Sequence, residues 1–156
     1  MRIDPNHEQL DQIDRKILRL LAQDGRIAVT ELSKAVGLSK SPTQVRLKRL
    51  QDEGYIQGFR ALLDPAKMGQ EHVAFTEVRL TDTTEKALTA FNRAVMDVVE
   101  IETCHMIAGS FDYLLKVRTS DIQSYRRILG EVISALPFVG STSTHVSMQA
   151  VKDSAV

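Results

Sequence analysis

The chain has 156 residues, 43% of them hydrophobic, and equal numbers of Lys/Arg and Asp/Glu. That is enough to bury a core of one or two small domains without disulfides, and the lone Cys104 excludes an internal one. No apolar run approaches membrane-spanning length and no apolar signal core opens the chain, so the expectation is a soluble, cytoplasmic protein with no membrane partner.

Zero net charge conceals an uneven distribution. Residues 1–60 carry 11 Lys/Arg against 8 Asp/Glu, and residues 61–156 carry 9 against 12. Between Arg26 and Leu50 six basic residues stand beside one acid, Glu31. A basic patch on a balanced chain suits docking to nucleic acid, although a solvated charged face has the same composition.

In chain order, Leu10, Ile13, Ile17, Leu20 and Leu21 recur at helical spacing and predict a helix from about Leu10 to Gln23, ended by Asp24-Gly25. A second helix covers Val29–Val36. Gly37 supplies the left-handed turn, and Ser39 caps a third helix that ends near Gly54. Two helices joined by a short glycine turn, the second carrying Lys40, Arg46, Lys48 and Arg49, have the layout of a helix-turn-helix. On a 100° wheel Thr43, Leu47 and Leu50 face inward. Ser41, Val45, Lys48 and Arg49 face outward, with Gln44 and Arg46 on the flanks. Base contact then falls to Ser41, Gln44 and Val45 near the N-terminal end. Lys48, Arg49 and Arg26 suit phosphates, Arg46 suits either role, and Ser39 and Lys40 complete the expected DNA-binding set.

Tyr55–Leu63 alternates loosely and predicts a connecting strand. Asp64-Pro65 reads as a cap followed by Pro at a first helical position, closed by Gly69. The second half predicts a strand at His72–Leu80 and a helix over Thr84–Val98. Strands follow at Ile101–Ala108 and Tyr113–Thr119. A helix capped by Ser120 or Asp121 and stopped by Pro137 comes next, then a last strand at Val139–Met148. The order βαββαβ is that of the ferredoxin-like fold, whose sheet covers one face only with helices and so predicts a dimer through the other. The fold class expected is therefore α+β. An all-α helix-turn-helix domain at 1–54 and a linker strand and turn at 55–70 precede a ferredoxin-like ligand-binding and oligomerisation domain at 71–156.

Between the two middle strands lies Gly109-Ser110-Phe111-Asp112, which a hairpin turn with Gly109 at positive φ explains by itself. Cys104 and His105 are adjacent on a strand and point to opposite faces. The four histidines are scattered, and there is no C-x-x-C, phosphate loop or nucleophile elbow. No metal site, cofactor or catalytic residue is expected.

The whole pattern resembles the Lrp/AsnC ("feast/famine") transcriptional regulators. The resemblance is carried by Leu10-Asp11-Gln12-Ile13-Asp14-Arg15-Lys16-Ile17-Leu18, Asp24-Gly25-Arg26, Glu31-Leu32-Ser33, Val36-Gly37-Leu38-Ser39, Gly54-Tyr55-Ile56 and Gly109-Ser110-Phe111-Asp112-Tyr113-Leu114-Leu115. Ala28 departs from it, because members often have a Ser there that caps the second helix. Gln44-Val45 carries over no target sequence. The resemblance implies a bacterial regulator of amino-acid metabolism, in the direction of the proline-catabolism regulators. Its partners would be double-stranded DNA and a small amino-acid effector, and its homodimers would assemble to an octamer or similar. It also implies that Gly109, Ser110, Phe111 and Asp112 line an effector pocket at the oligomer interface; Thr142 and Thr144, alternate residues on one face of the last strand, are candidates to add hydroxyls there, although ordinary strand threonines read the same. Sirohaem decarboxylases are similar to this family, but they need histidines converging on a tetrapyrrole, and here the histidines are dispersed. An architectural DNA-binding protein shares every DNA feature and differs only in having no ligand.

Overall fold

A computed structural model describes residues 10–153, so residues 1–9, including His7, and residues 154–156 lie outside the described part of the two expected domains. The described chain divides into two compact units, with the boundary along the sequence between Leu62 and Leu63.

The first unit holds α1 (Gln12–Gln23), α2 (Val29–Val36) and α3 (Lys40–Asp52). Asp11 and Asp14 start α1 with a reciprocal capping box, so Leu10 lies just outside the helix. Ile17, Leu32, Val36 and Leu50 form the core, and Ile13, Leu20, Leu21, Leu38 and Ile56 pack around it. Gly37 at φ 75° closes α2 and turns the chain into α3. Ala28 occupies the N-cap of α2 without a side-chain bond. Ser39 sits at the N-cap of α3 but its hydroxyl makes no capping bond, contrary to expectation. Its carbonyl does the local work, accepting from the amide and hydroxyl of Thr43.

The strand expected over 55–63 does not form: among the described residues this segment belongs to no ladder, and a strand exists only where another backbone supplies one. In the second unit, Asp64 caps the turn through Pro65, and Gly69 closes it at φ 69°.

The rest of the second unit is β1 (His72–Leu80), α4 (Glu85–Val95), β2 (Ile101–Met106), β3 (Tyr113–Thr119), α5 (Ile122–Glu131) and β4 (Val139–Val146). A short 3-10 turn at Ile133–Ala135 follows α5. The sheet is antiparallel in the order β2-β3-β1-β4, the ferredoxin-like arrangement. α4 stops three residues short of Val98, and β2 and β4 each stop two residues short of expectation, where cross-strand pairing ends. Asp121 caps α5 by accepting from Ser124 N at 2.7 Å. One sheet face is covered: Ala74, Val78, Leu115 and Val117 pack beneath Phe91, Val95 and Tyr125. The rings of Phe91 and Tyr113 lie 4.4 Å apart between centroids. The opposite face carries Val73, Phe75, Glu77, Lys116, Arg118 and His145 in register with one another.

Candidate nucleic-acid interface and effector region

α3 is anchored by Thr43 and Leu50, both fully buried, with Leu47 half-buried beside them. Ser41, Gln44, Val45 and Lys48 are exposed on the other side, and Val45 stands 70% exposed, an aliphatic side chain presented to solvent from a rigid helix. Ser39 and Lys40 at its start and Arg26 before α2 are exposed as well. The Lys48 ammonium meets Asp52 one turn later at 2.6 Å, with both side chains mostly in solvent, so that pair contributes little.

The structure corrects the wheel at Arg49 and settles the ambiguous geometry of Arg46. Both are half-buried and turned toward α1 rather than outward. Asp14, 1% exposed, accepts from Arg46 at 2.8 Å and from Arg49 at 2.5 Å, while Arg46 also reaches Asp11 at 2.6 Å. The wheel took no account of α1, whose buried carboxylate recruits the charged flank of α3. The backbone N–H of Asp14, helped by Arg46, holds the Asp11 carboxyl below its ordinary value, and the two carboxylates raise that of Arg46.

In the second unit the loop after β2 runs from Ile107 to Asp112. Gly109 does not take the positive φ expected of a tight turn, since six residues reverse the chain without a left-handed position there. The backbone N–H groups of Gly109, Ser110 and Phe111 have no acceptor among the described residues. Asp112 is occupied structurally: its carboxylate accepts from Leu80 N at 2.7 Å, its N–H donates to Val78, and its carbonyl accepts from Ile107. Thr142 and Thr144 lie on the helix-covered side of β4, both half-buried. Thr144 Oγ1 is 2.6 Å from the Tyr125 hydroxyl, which also meets the buried Thr76 at 2.8 Å. Thr144 is thus part of an internal hydroxyl chain, which sequence reading missed because a threonine on a strand gives no sign of a tyrosine packed from a helix.

A cluster absent from the sequence reading lies on the open sheet face. Glu102 is paired with Arg118 and with Lys116 at 3.3 Å, and Lys116 bonds Asp153 at 2.7 Å. Burial alone would raise the Glu102 carboxyl, but hydrogen bonds from Arg118 and Lys116 bring it below its usual value. Among the described residues no group of three or more His, Cys, Asp or Glu is placed to hold a metal, and no helix is long and apolar enough to cross a membrane.

Residues 10–57 match the winged helix-turn-helix DNA-binding model, and residues 73–156 match the Lrp/AsnC ligand-binding domain. The chain is 63% identical over 149 residues to a proline dehydrogenase transcriptional activator of Rhizobium radiobacter, covering 96% of each chain. It is 46% identical to the leucine-responsive regulatory protein of Escherichia coli, covering 94% of this chain and 90% of that protein. Among solved structures, a transcriptional regulator of Neisseria meningitidis in complex with L-methionine superposes with a TM-score of 0.88 at 29% identity, covering 94% of both chains. An AsnC family regulator of Agrobacterium tumefaciens does so with 0.88 at 32% identity, covering 94% of this chain and 95% of that one. With a helix-turn-helix in one unit and the family's ligand-binding domain in the other, the chain belongs to the Lrp/AsnC family and is a DNA-binding transcriptional regulator rather than an enzyme.

Proposed function

We propose that this regulator binds specific duplex sequences through the outer face of α3 and adjusts that binding to an amino acid held in its second unit, with proline as effector and proline catabolism as target. The carrying observation is the exposed set Ser41, Gln44 and Val45 on a helix whose back is buried in a core. Val45 suits a thymine methyl and Gln44 an adenine edge. Arg26, Lys40 and Lys48, with Ser39 at the helix start, suit the phosphates alongside.

The effector assignment rests on the loop at Gly109, Ser110 and Phe111, whose N–H groups suit a carboxylate, with the Asp112 carboxylate beside them for an ammonium. Two relatives, 63% and 53% identical and named as proline dehydrogenase transcriptional activators, support the choice of proline. The open sheet face, with Phe75 37% exposed, suits pairing of two copies into a dimer that assembles further. An effector shifts such an assembly only if it binds one state more tightly than another.

Calorimetric titration of the protein with common amino acids, alongside assembly size and affinity for a duplex enriched by the protein from a randomised pool, tests this reading. Proline binding that changes assembly or DNA affinity is the expected result. DNA binding with no response to any amino acid would leave an architectural protein in its place.

A further inference from the structure

The most buried charged side chain among the described residues lies behind the exposed face of α3. Asp14 is 1% exposed, and each of its oxygens is committed: Oδ1 accepts from Arg46 Nη1 at 2.8 Å, and Oδ2 accepts from Arg49 Nη2 at 2.5 Å and from Asp11 N at 3.2 Å. Asp11 closes the circuit, with Oδ1 on Asp14 N at 2.8 Å and Oδ2 on Arg46 Nη1 at 2.6 Å. The two acids, at the N-cap and in the first turn of α1, are three residues apart, as are the two arginines on α3, so the start of one helix meshes with one turn of the other.

We infer that Arg46 and Arg49 are positioning residues, which set the rotation and register of α3 against α1 through Asp14, and that they do not bind phosphate. The inference rests on the reading of α3 as the recognition helix. Its physical ground is a comparison of alternatives. An arginine swinging to a DNA phosphate gains a screened contact at a surface, whereas Asp14 would lose a partner while buried, and an uncompensated buried carboxylate is the more costly state. Turning α3 by one residue would move both guanidinium groups about 100° away from α1. The network therefore rejects the rotations that would present a different set of side chains in place of Ser41, Gln44 and Val45.

Positioning and phosphate contact differ in what they change. A phosphate contact carries no sequence information and contributes to the salt dependence, whereas a positioning residue affects discrimination. The test uses the full chain, a duplex enriched by the wild-type protein from a randomised pool, and the unselected pool itself. Each affinity is measured across a salt series. Arg46→Lys and Asp14→Asn should each weaken binding to the enriched duplex by roughly 10- to 100-fold, as a lost base contact or two would. Binding to the pool and its salt slope should stay near wild type.

Arg46→Lys retains the charge but ends one bond short of Nη1, the single nitrogen that bridges Asp11 and Asp14, so the network loosens while a phosphate role predicts near-normal binding for it. If Arg46→Lys discriminates as well as wild type, or if Arg46→Gln lowers the salt slope by about 1 and weakens both duplexes alike, the positioning role is overturned. Should Asp14→Asn unfold α1, Arg46→Lys carries the test, because it leaves both carboxylates facing a cation. A wild-type protein that enriches no sequence would instead remove the recognition-helix reading on which the inference stands.

Discussion

The Asp112 carboxylate accepts the backbone N–H of Leu80 at 2.7 Å, binding the loop between β2 and β3 to the end of β1. The residue that suits an effector's ammonium is therefore also a structural clasp. Asp112→Ala should leave a partly buried N–H unpaired and destabilise the second unit by about 1–3 kcal/mol. Asp112→Asn keeps an acceptor oxygen and should retain most of the stability while losing the charge. Thermal unfolding combined with proline titration separates the two roles: normal proline binding by Asp112→Asn would remove Asp112 from the effector site.

Lys48 is the clearest candidate for a phosphate contact, since its side chain is 75% exposed and its partner among the described residues, Asp52, is itself in solvent. Lys48→Ala should weaken binding to all sequences alike and reduce the slope of log affinity against log salt by about 1. Fold stability should change by less than about 0.5 kcal/mol. An unchanged slope would place Lys48 away from the backbone.

Ala28 leaves the first turn of α2 without a side-chain acceptor, while Glu31 already stands three residues on. Ala28→Ser creates the S-x-x-E capping box and should stabilise the first unit by about 1 kcal/mol. The check is the urea unfolding midpoint at constant m-value.

Asp11, Asp121, Glu102 and Asp153 all have carboxyl groups held below their ordinary values. The leading causes are backbone N–H donors at Asp11 and Asp121 and the Lys116 ammonium at Asp153. At Glu102, hydrogen bonds from Arg118 and Lys116 outweigh burial. A depressed folded value means that the ionised form is favoured by folding. The resulting stability is fully present above the unfolded carboxylate range, about pH 4, and is lost as pH falls through the folded values. The thermal midpoint should therefore fall steeply below about pH 4, and less steeply in Asp121→Ala, in which one of these groups is removed. Equal acid sensitivity in that variant would exclude the Asp121 cap as a contributor.

Local signals in the chain account for the helices of the first unit and the βαββαβ order of the second. Ile13, Ile17, Leu20 and Leu21 recur at helical spacing along α1, Gly37 suits a left-handed turn, and Ala74, Thr76 and Val78 alternate with solvent-facing neighbours. What depended on a second element was not legible. Tyr55–Leu63 alternates like a strand, but a strand exists only where another backbone supplies the ladder. Gly109 resembled a tight-turn glycine until the loop proved long enough to turn without positive φ.

The division is sharpest at α3. The sequence by itself determined that a basic helix follows the glycine turn, and that Thr43 and Leu50 lie on the side opposite Ser41 and Val45, because helical periodicity is a property of the helix alone. Only the tertiary structure decided what the flank holding Arg46 and Arg49 does. A charged residue one turn from the core serves solvent, phosphate or a neighbouring helix equally well until a partner is placed, and the partner here is Asp14, buried on α1.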